Sequence, residues 1–168
     1  MRTLVLGGIR SGKSQWAESA IADAAGPGRP VRYVATGPAS DNDDPDWSAR
    51  IDAHRTRRPA HWRTVETDDV AAELRADPAI ATLVDDIGGW LAAPGGNADI
   101  DELLSAITGF RTSLVIVSPE VGLTVVPATA SGRQFADELG SLNQRLAELC
   151  DRVVLVVAGQ PLTVKEPR

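Results

Sequence analysis

Residues 7–14 read Gly7-Gly8-Ile9-Arg10-Ser11-Gly12-Lys13-Ser14 and follow directly on a short apolar run, Thr3-Leu4-Val5-Leu6. The pattern G-x-x-x-x-G-K-[ST] constrains a fold strongly, because it works only as a strand, a tight glycine turn and a helix opening on an anion. Glycines let successive backbone N–H groups converge on a phosphate. Lys13 adds a compact positive charge for the outer phosphates, and the Ser14 hydroxyl is a ligand type suited to Mg²⁺. Lys13 and Lys165 are the only lysines among seventeen basic residues, so this lysine is not drawn from an abundant pool. A glycine turn that meets the pattern by chance is the alternative. The strand before it and the helix after it argue for nucleotide binding.

Elsewhere, short runs rich in β-branched residues alternate with helical patterns. Strands are expected at residues 3–6, 31–35, 63–66, 81–85, 113–117 and 152–157, with helices at 13–24, 46–55, 68–75, 100–110 and 132–150. Such alternation predicts an α/β layer structure with a mostly parallel sheet. Around Gln160-Pro161 the chain is expected to close a hairpin with residues 162–165. Phe135, Leu139, Leu142, Leu146 and Leu149 form one helical stripe, read as core packing rather than a subunit interface. Segments 37–46 and 92–97 are the best candidates for mobile loops.

At 168 residues the chain is expected to be a single domain. A net charge of −6 argues against a nucleic-acid surface. The local cluster Arg55, Arg57, Arg58 and Arg63 suits a small anionic ligand instead. The longest apolar run, 152–159, is of strand length and well short of the roughly 20 residues of a membrane span. The N-terminus runs straight into a strand, which predicts no cleavable leader and a cytoplasmic setting. Cys150, the only cysteine, forms no internal disulfide and reads as a small buried hydrophobe.

Asp85 and Asp86 close the strand at 81–85, where phosphate-loop proteins hold Mg²⁺. An Asp capping the next element is the competing reading. His54 ends an expected helix that Asp44 caps, with Pro45 at its first position. Arg55, Arg57 and Arg58 follow, biasing its imidazole toward the neutral, nucleophilic form. The same guanidiniums could grip a phosphate beside it. From residue pattern alone, a solvated surface histidine is the stronger reading of His54. His61, between Ala60 and Trp62, reads as a packing or hydrogen-bonding residue at a strand entry. The acidic run 41–46 lacks the glycine and distal Glu of a calcium loop. Glu120-Val121-Gly122 lies at a strand C-terminal edge, where open α/β sheets bind ligands.

Taken together, these segments resemble the bifunctional adenosylcobinamide kinase/adenosylcobinamide-phosphate guanylyltransferase family. The resemblance rests on the phosphate loop with Ala17-Glu18, on Tyr33-Val34-Ala35-Thr36, and on Arg50-Ile51 with His54-Arg55 and Arg58-Pro59. It continues through Trp62 with Thr64-Val65-Glu66, Glu120-Val121-Gly122 with Val126-Pro127, and Phe135, Asp137, Gly140 and Asn143-Gln144-Arg145-Leu146. It spans nearly the whole chain and implies an α/β phosphate-loop NTPase-type (RecA-like) domain, with a mostly parallel sheet flanked by helices. It also implies a homotrimer.

In such a family the histidine at the position of His54 attacks the α-phosphate of GTP, and His54 is thereby expected to be catalytic with Lys13. Nucleotide contacts carry over to Gly7, Gly8, Ile9, Arg10, Ser11, Gly12, Lys13 and Ser14, to Ala35, Thr36 and Gly37, to Arg55, Thr56, Arg57 and Arg58, and to Glu66 and Asp85. Mg²⁺ is expected on Ser14 and Asp85. The chain departs from the family pattern after Asp85, where Asp86-Ile87-Gly88-Gly89-Trp90 replaces a hydroxyl-rich stretch. The substrates implied are ATP and GTP with adenosylcobinamide and adenosylcobinamide phosphate. A phosphate-loop kinase for another hydroxylated metabolite, or a nucleotide-dependent binding module, are the alternatives.

Overall fold

The computed structural model describes residues 1–36, 58–93 and 98–167. Seven strands make one sheet: β1 (Arg2–Gly7), β2 (Val31–Ala35), β3 (Arg63–Glu66), β4 (Ala81–Asp85), β5 (Leu114–Pro119), β6 (Arg152–Val157) and β7 (Gln160–Lys165). Their spatial order is β3-β2-β4-β5-β1-β6-β7. Every pairing is parallel except β6 with β7. The helices are α1 (Lys13–Ala25), α2 (Val70–Ala76), α3 (Ile87–Leu91), α4 (Ile100–Thr108) and α5 (Ala130–Leu149).

Central strands read as unbroken apolar runs because both of their faces are covered. Alternation then sorts each strand between two cores. Leu4, Val34, Val84, Leu114 and Ile116 join the side chains of α2 to α5 on one face. Val5, Tyr33, Leu83, Val115 and Val117 join Ala17 and Ile21 of α1 on the other. The α5 stripe packs as expected, with Leu139, Leu142 and Leu146 buried and Phe135 and Leu149 partly so.

The boundaries move where caps decide them. Thr129 Oγ1 accepts from Gly132 N at 3.1 Å, so α5 starts two residues before the expected 132. Asp69 Oδ1 accepts from Ala72 N at 2.9 Å and starts α2 at Val70 rather than 68. α4 stops at Thr108 rather than 110, and β5 runs on to Pro119 rather than ending at 117. The hairpin turn at Ala158-Gly159 has φ of 50° and 77°, which suits a tight turn matched to strand twist.

Cys150 closes α5 at 1% exposure, and burial pushes its thiol up to about 12. It is the inert hydrophobe expected of it. The expected helix at 46–55 and loop at 37–46 lie outside the described residues, as do residues 94–97 of the loop 92–97. No described helix is long and apolar enough to cross a membrane.

Candidate functional site

Parallel packing brings the C-terminal ends of β1, β4 and β5 to one edge of the sheet, where Gly7 lies level with Pro119. From this edge the phosphate loop leaves β1. Arg10 takes φ 56° and Gly12 φ 91°, the left-handed backbone that turns the chain sharply into α1. Gly12 also packs so closely on the β6–β7 turn that an added Cβ would stand 3.2 Å from Gly159 Cα. Gly159 N donates to Ser11 O at 2.7 Å and pins the loop from that side. Gly12 offers no side chain to cap α1, although Ser11 Oγ accepts from Lys13 N at 3.4 Å, and a helix start of this kind suits an anion. Lys13 Nζ rests on Gly8 O at 3.2 Å, within the loop it would leave to meet a phosphate. Ile9 stands exposed at the loop tip.

At the end of β4 the two aspartates take separate parts: Asp86 caps the next element, and Asp85 faces the phosphate loop. Asp85 Oδ1 accepts from Ser14 Oγ at 3.2 Å, and its Oδ2 accepts from the Tyr33 hydroxyl. Asp86, in left-handed backbone at φ 69°, turns away to cap α3 by accepting from Gly89 N at 3.0 Å. Burial pushes its carboxyl above the usual range, and the neighbouring Asp85 adds to that. The helix it caps was not expected from the sequence. Thr36 Oγ1 lies 2.8 Å from Asp85 O and 2.5 Å from Asp86 O, fixing the end of β2 against this turn. A hydroxyl and a carboxylate facing each other beside a phosphate loop form a hard-oxygen donor pair, which fits Mg²⁺.

Beyond Asp85 the site reaches β2 and β3. Ala35 is level with both Asp85 and Glu66, so three of the expected nucleotide contacts share one row. Arg58 lies over the Tyr33 ring, its Cζ 3.3 Å from the centroid, and its Nη1 donates to Thr64 Oγ1 at 3.0 Å. Its buried Nε finds no partner among the described residues. Gly37, His54, Arg55, Thr56 and Arg57 lie outside the described residues. His61 is exposed in the turn before β3, so the packing expected of it is not found there. Tyr33 was missing from the expected contacts. A lone tyrosine on a buried strand was the available signal, since its hydroxyl requires a partner.

On the far side of the phosphate loop, Glu120 N donates to Gly7 O at 3.1 Å. The segment that follows Glu120 borders a cavity of about 540 Å³, lined among others by Val121, Val126, Pro127, Ala136 and Gly140. Asn143 holds this wall to the sheet, accepting from Ser118 Oγ at 2.6 Å and donating to Pro119 O at 3.0 Å. The substrate-side loop expected at Glu120-Val121-Gly122 is therefore beside both the phosphate loop and a hollow.

The family model for cobinamide kinase / cobinamide phosphate guanyltransferase matches residues 3–164. The bifunctional adenosylcobalamin biosynthesis protein CobP of Pseudomonas aeruginosa is 40% identical over 175 residues, covering 98% of each chain. The corresponding CobU proteins of Salmonella typhimurium and Escherichia coli are 37% and 36% identical, covering 98% of this chain and all of theirs. Among solved structures, the flagellar accessory protein FlaH of Methanocaldococcus jannaschii superposes with a TM-score of 0.54 at 13% identity. That match covers 99% of this chain and 78% of FlaH. A Pyrococcus horikoshii protein, PH0250, gives 0.53 at 7% identity over 99% of this chain and 87% of its own. At such identities the likeness concerns the fold alone.

Proposed function

Because the chain belongs to the cobinamide kinase / cobinamide phosphate guanyltransferase family, we propose that it carries out both reactions from one nucleotide-binding domain over residues 1–168. It phosphorylates adenosylcobinamide with ATP or GTP, then transfers GMP from GTP to adenosylcobinamide phosphate, giving adenosylcobinamide-GDP. The observation that carries the kinase half is the phosphate loop, with Lys13 at its mouth and Ser14 paired to Asp85.

In the first reaction the substrate hydroxyl attacks the γ-phosphorus, the bond to the β–γ bridging oxygen breaks and the nucleoside diphosphate leaves, and the hydroxyl proton passes to solvent. Catalysis is mostly positioning and neutralisation of charge by Lys13 and the loop N–H groups. Ser14 and Asp85 would hold Mg²⁺, which when bound supplies further neutralisation of phosphate charge. In the second, an imidazole nitrogen of His54 attacks the α-phosphorus of GTP and pyrophosphate leaves. A phosphate oxygen of the corrinoid substrate then displaces the histidine. Arg55, Arg57 and Arg58 keep His54 neutral and offset the phosphate charge. Thr36 and Glu66 flank the nucleotide. A cytoplasmic homotrimer belongs to the same reading.

Incubation with α-labelled GTP and Mg²⁺ should leave an acid-labile, base-stable label on the His54 peptide, and γ-labelled GTP should leave none. His54→Ala should abolish guanylyl transfer and retain kinase activity. No label on wild-type protein that still binds GTP would remove the transferase half.

A further inference from the structure

Tyr33 is the only tyrosine of the chain and is 1% exposed. The proposed chemistry leaves it without a part. A buried phenol requires an acceptor for its hydroxyl, and a backbone carbonyl or an amide would satisfy it. Its acceptor is instead Asp85 Oδ2, on the same carboxylate whose Oδ1 takes the Ser14 hydroxyl. With one oxygen tied to the phenol, the carboxylate has a single orientation, and its other oxygen faces the phosphate loop. The same ring carries the Arg58 guanidinium stacked on its face. Arg58 is itself among the expected nucleotide contacts, and its Nη1 donates to Thr64 Oγ1 at 3.0 Å. Tyr33 therefore touches both Asp85 and Arg58, two of the expected nucleotide contacts.

We propose that Tyr33 is a positioning residue for the nucleotide site: its hydroxyl orients Asp85 toward Mg²⁺ beside Ser14, and its ring seats the Arg58 guanidinium. The inference rests on the proposed Ser14–Asp85 metal site. It assigns to the hydroxyl the place that outer hydrogen-bond partners hold around metal-ligating carboxylates.

Tyr33→Phe keeps the ring, and with it the core and the Arg58 seat, and deletes only the hydroxyl. Mn²⁺ binding to the protein–GTP complex, followed by electron paramagnetic resonance, should weaken about 10-fold. His54 labelling by GTP should slow at low Mg²⁺ and recover at saturating Mg²⁺. Tyr33→Leu removes the ring as well, and its labelling should stay slow at saturating Mg²⁺. In wild-type protein labelled with ¹³C-tyrosine, the single ring resonance should broaden when Mn²⁺ joins GTP. Unchanged Mn²⁺ affinity in Tyr33→Phe overturns the positioning of Asp85 and leaves the metal site standing, whereas an unbroadened ring signal in a complex that binds Mn²⁺ puts the ion away from Asp85 and overturns both. Labelling of a folded Tyr33→Leu that equals Tyr33→Phe at saturating metal overturns the seating of Arg58. A wild type that binds no Mn²⁺ beyond what GTP alone holds removes the metal site and this inference together. The Mn²⁺ readout does not depend on guanylyl transfer, so failure of the transferase reading is seen separately.

Discussion

The two lysines show how position, rather than residue type, sets what a charged side chain does. Lys13 lies at the start of α1 and reaches one carbonyl of its own loop, Gly8 O. Lys165 lies at the other kind of helix end. Its Nζ donates to Ala147 O at 2.8 Å, Glu148 O at 3.2 Å and Cys150 O at 2.6 Å, satisfying carbonyls that α5 leaves open. Replacement by methionine should therefore give opposite results. Lys13→Met should lose phosphoryl transfer and weaken nucleotide binding while unfolding at nearly the wild-type denaturant midpoint. Lys165→Met should cost about 1 kcal/mol of stability and leave nucleotide affinity unchanged. Paired urea titrations and nucleotide binding on both variants check this; a destabilised Lys13→Met would contradict it. The sequence made Lys13 legible through its motif. Lys165 has no motif, because its partners come from the end of a helix that closes sixteen residues earlier in the chain, at Leu149.

Among the elements, legibility followed burial and capping. Strands such as 81–85 stood out because both faces are covered, and the α5 stripe because its face repeats through many turns. α3 was missed for a physical reason. It has five residues, two of them the poor helix formers Gly88 and Gly89, and it depends on the Asp86 cap. Those glycines are required by their surroundings. A Cβ on Gly88 would stand 2.8 Å from Pro119 Cγ, and one on Gly89 2.7 Å from Asp86 Oδ2. The neighbouring tie between α5 and β5 passes through Asn143, which is 6% exposed. Asn143→Leu leaves the Ser118 hydroxyl and the Pro119 carbonyl without their partner, and should cost about 2 kcal/mol. Because Pro119 precedes the Glu120 segment, proteolysis within 120–129 should also accelerate. A stable variant with unchanged proteolysis would show that the Asn143 hydrogen bonds do not hold this wall.

Over the whole molecule, the order β3-β2-β4-β5-β1-β6-β7 was not legible, because each parallel pairing joins segments far apart in sequence. Local patterns carry no information on which strand lies beside β1. What that order does is place the phosphate loop and Asp85 at one edge of the sheet and the Arg2–Asp151 clamp at the other. At the N-terminal edge, Asp151 receives Arg2 N on Oδ2 at 2.7 Å and Arg2 Nη2 on Oδ1 at 3.2 Å, while its own N donates to Arg2 O at 2.9 Å. The Arg2 backbone N–H, followed by its guanidinium, holds the Asp151 carboxyl below its ordinary 3.8. The folded chain thus binds this proton less readily than the unfolded one. The contribution to stability is complete above about 3.8 and is lost as the pH falls through the folded value. Asp151→Asn should therefore be less stable than wild type at about pH 7, with the gap closing toward about pH 3. The group is largely solvated, so the gap should be small. Nucleotide affinity at neutral pH should not change, since the clamp lies at the far end of β1 from the phosphate loop. Urea unfolding of both proteins at the two pH values, with nucleotide binding at the higher one, checks each half. A gap that persists at low pH would assign the Asp151 contribution to hydrogen bonding that the amide also lacks, rather than to charge.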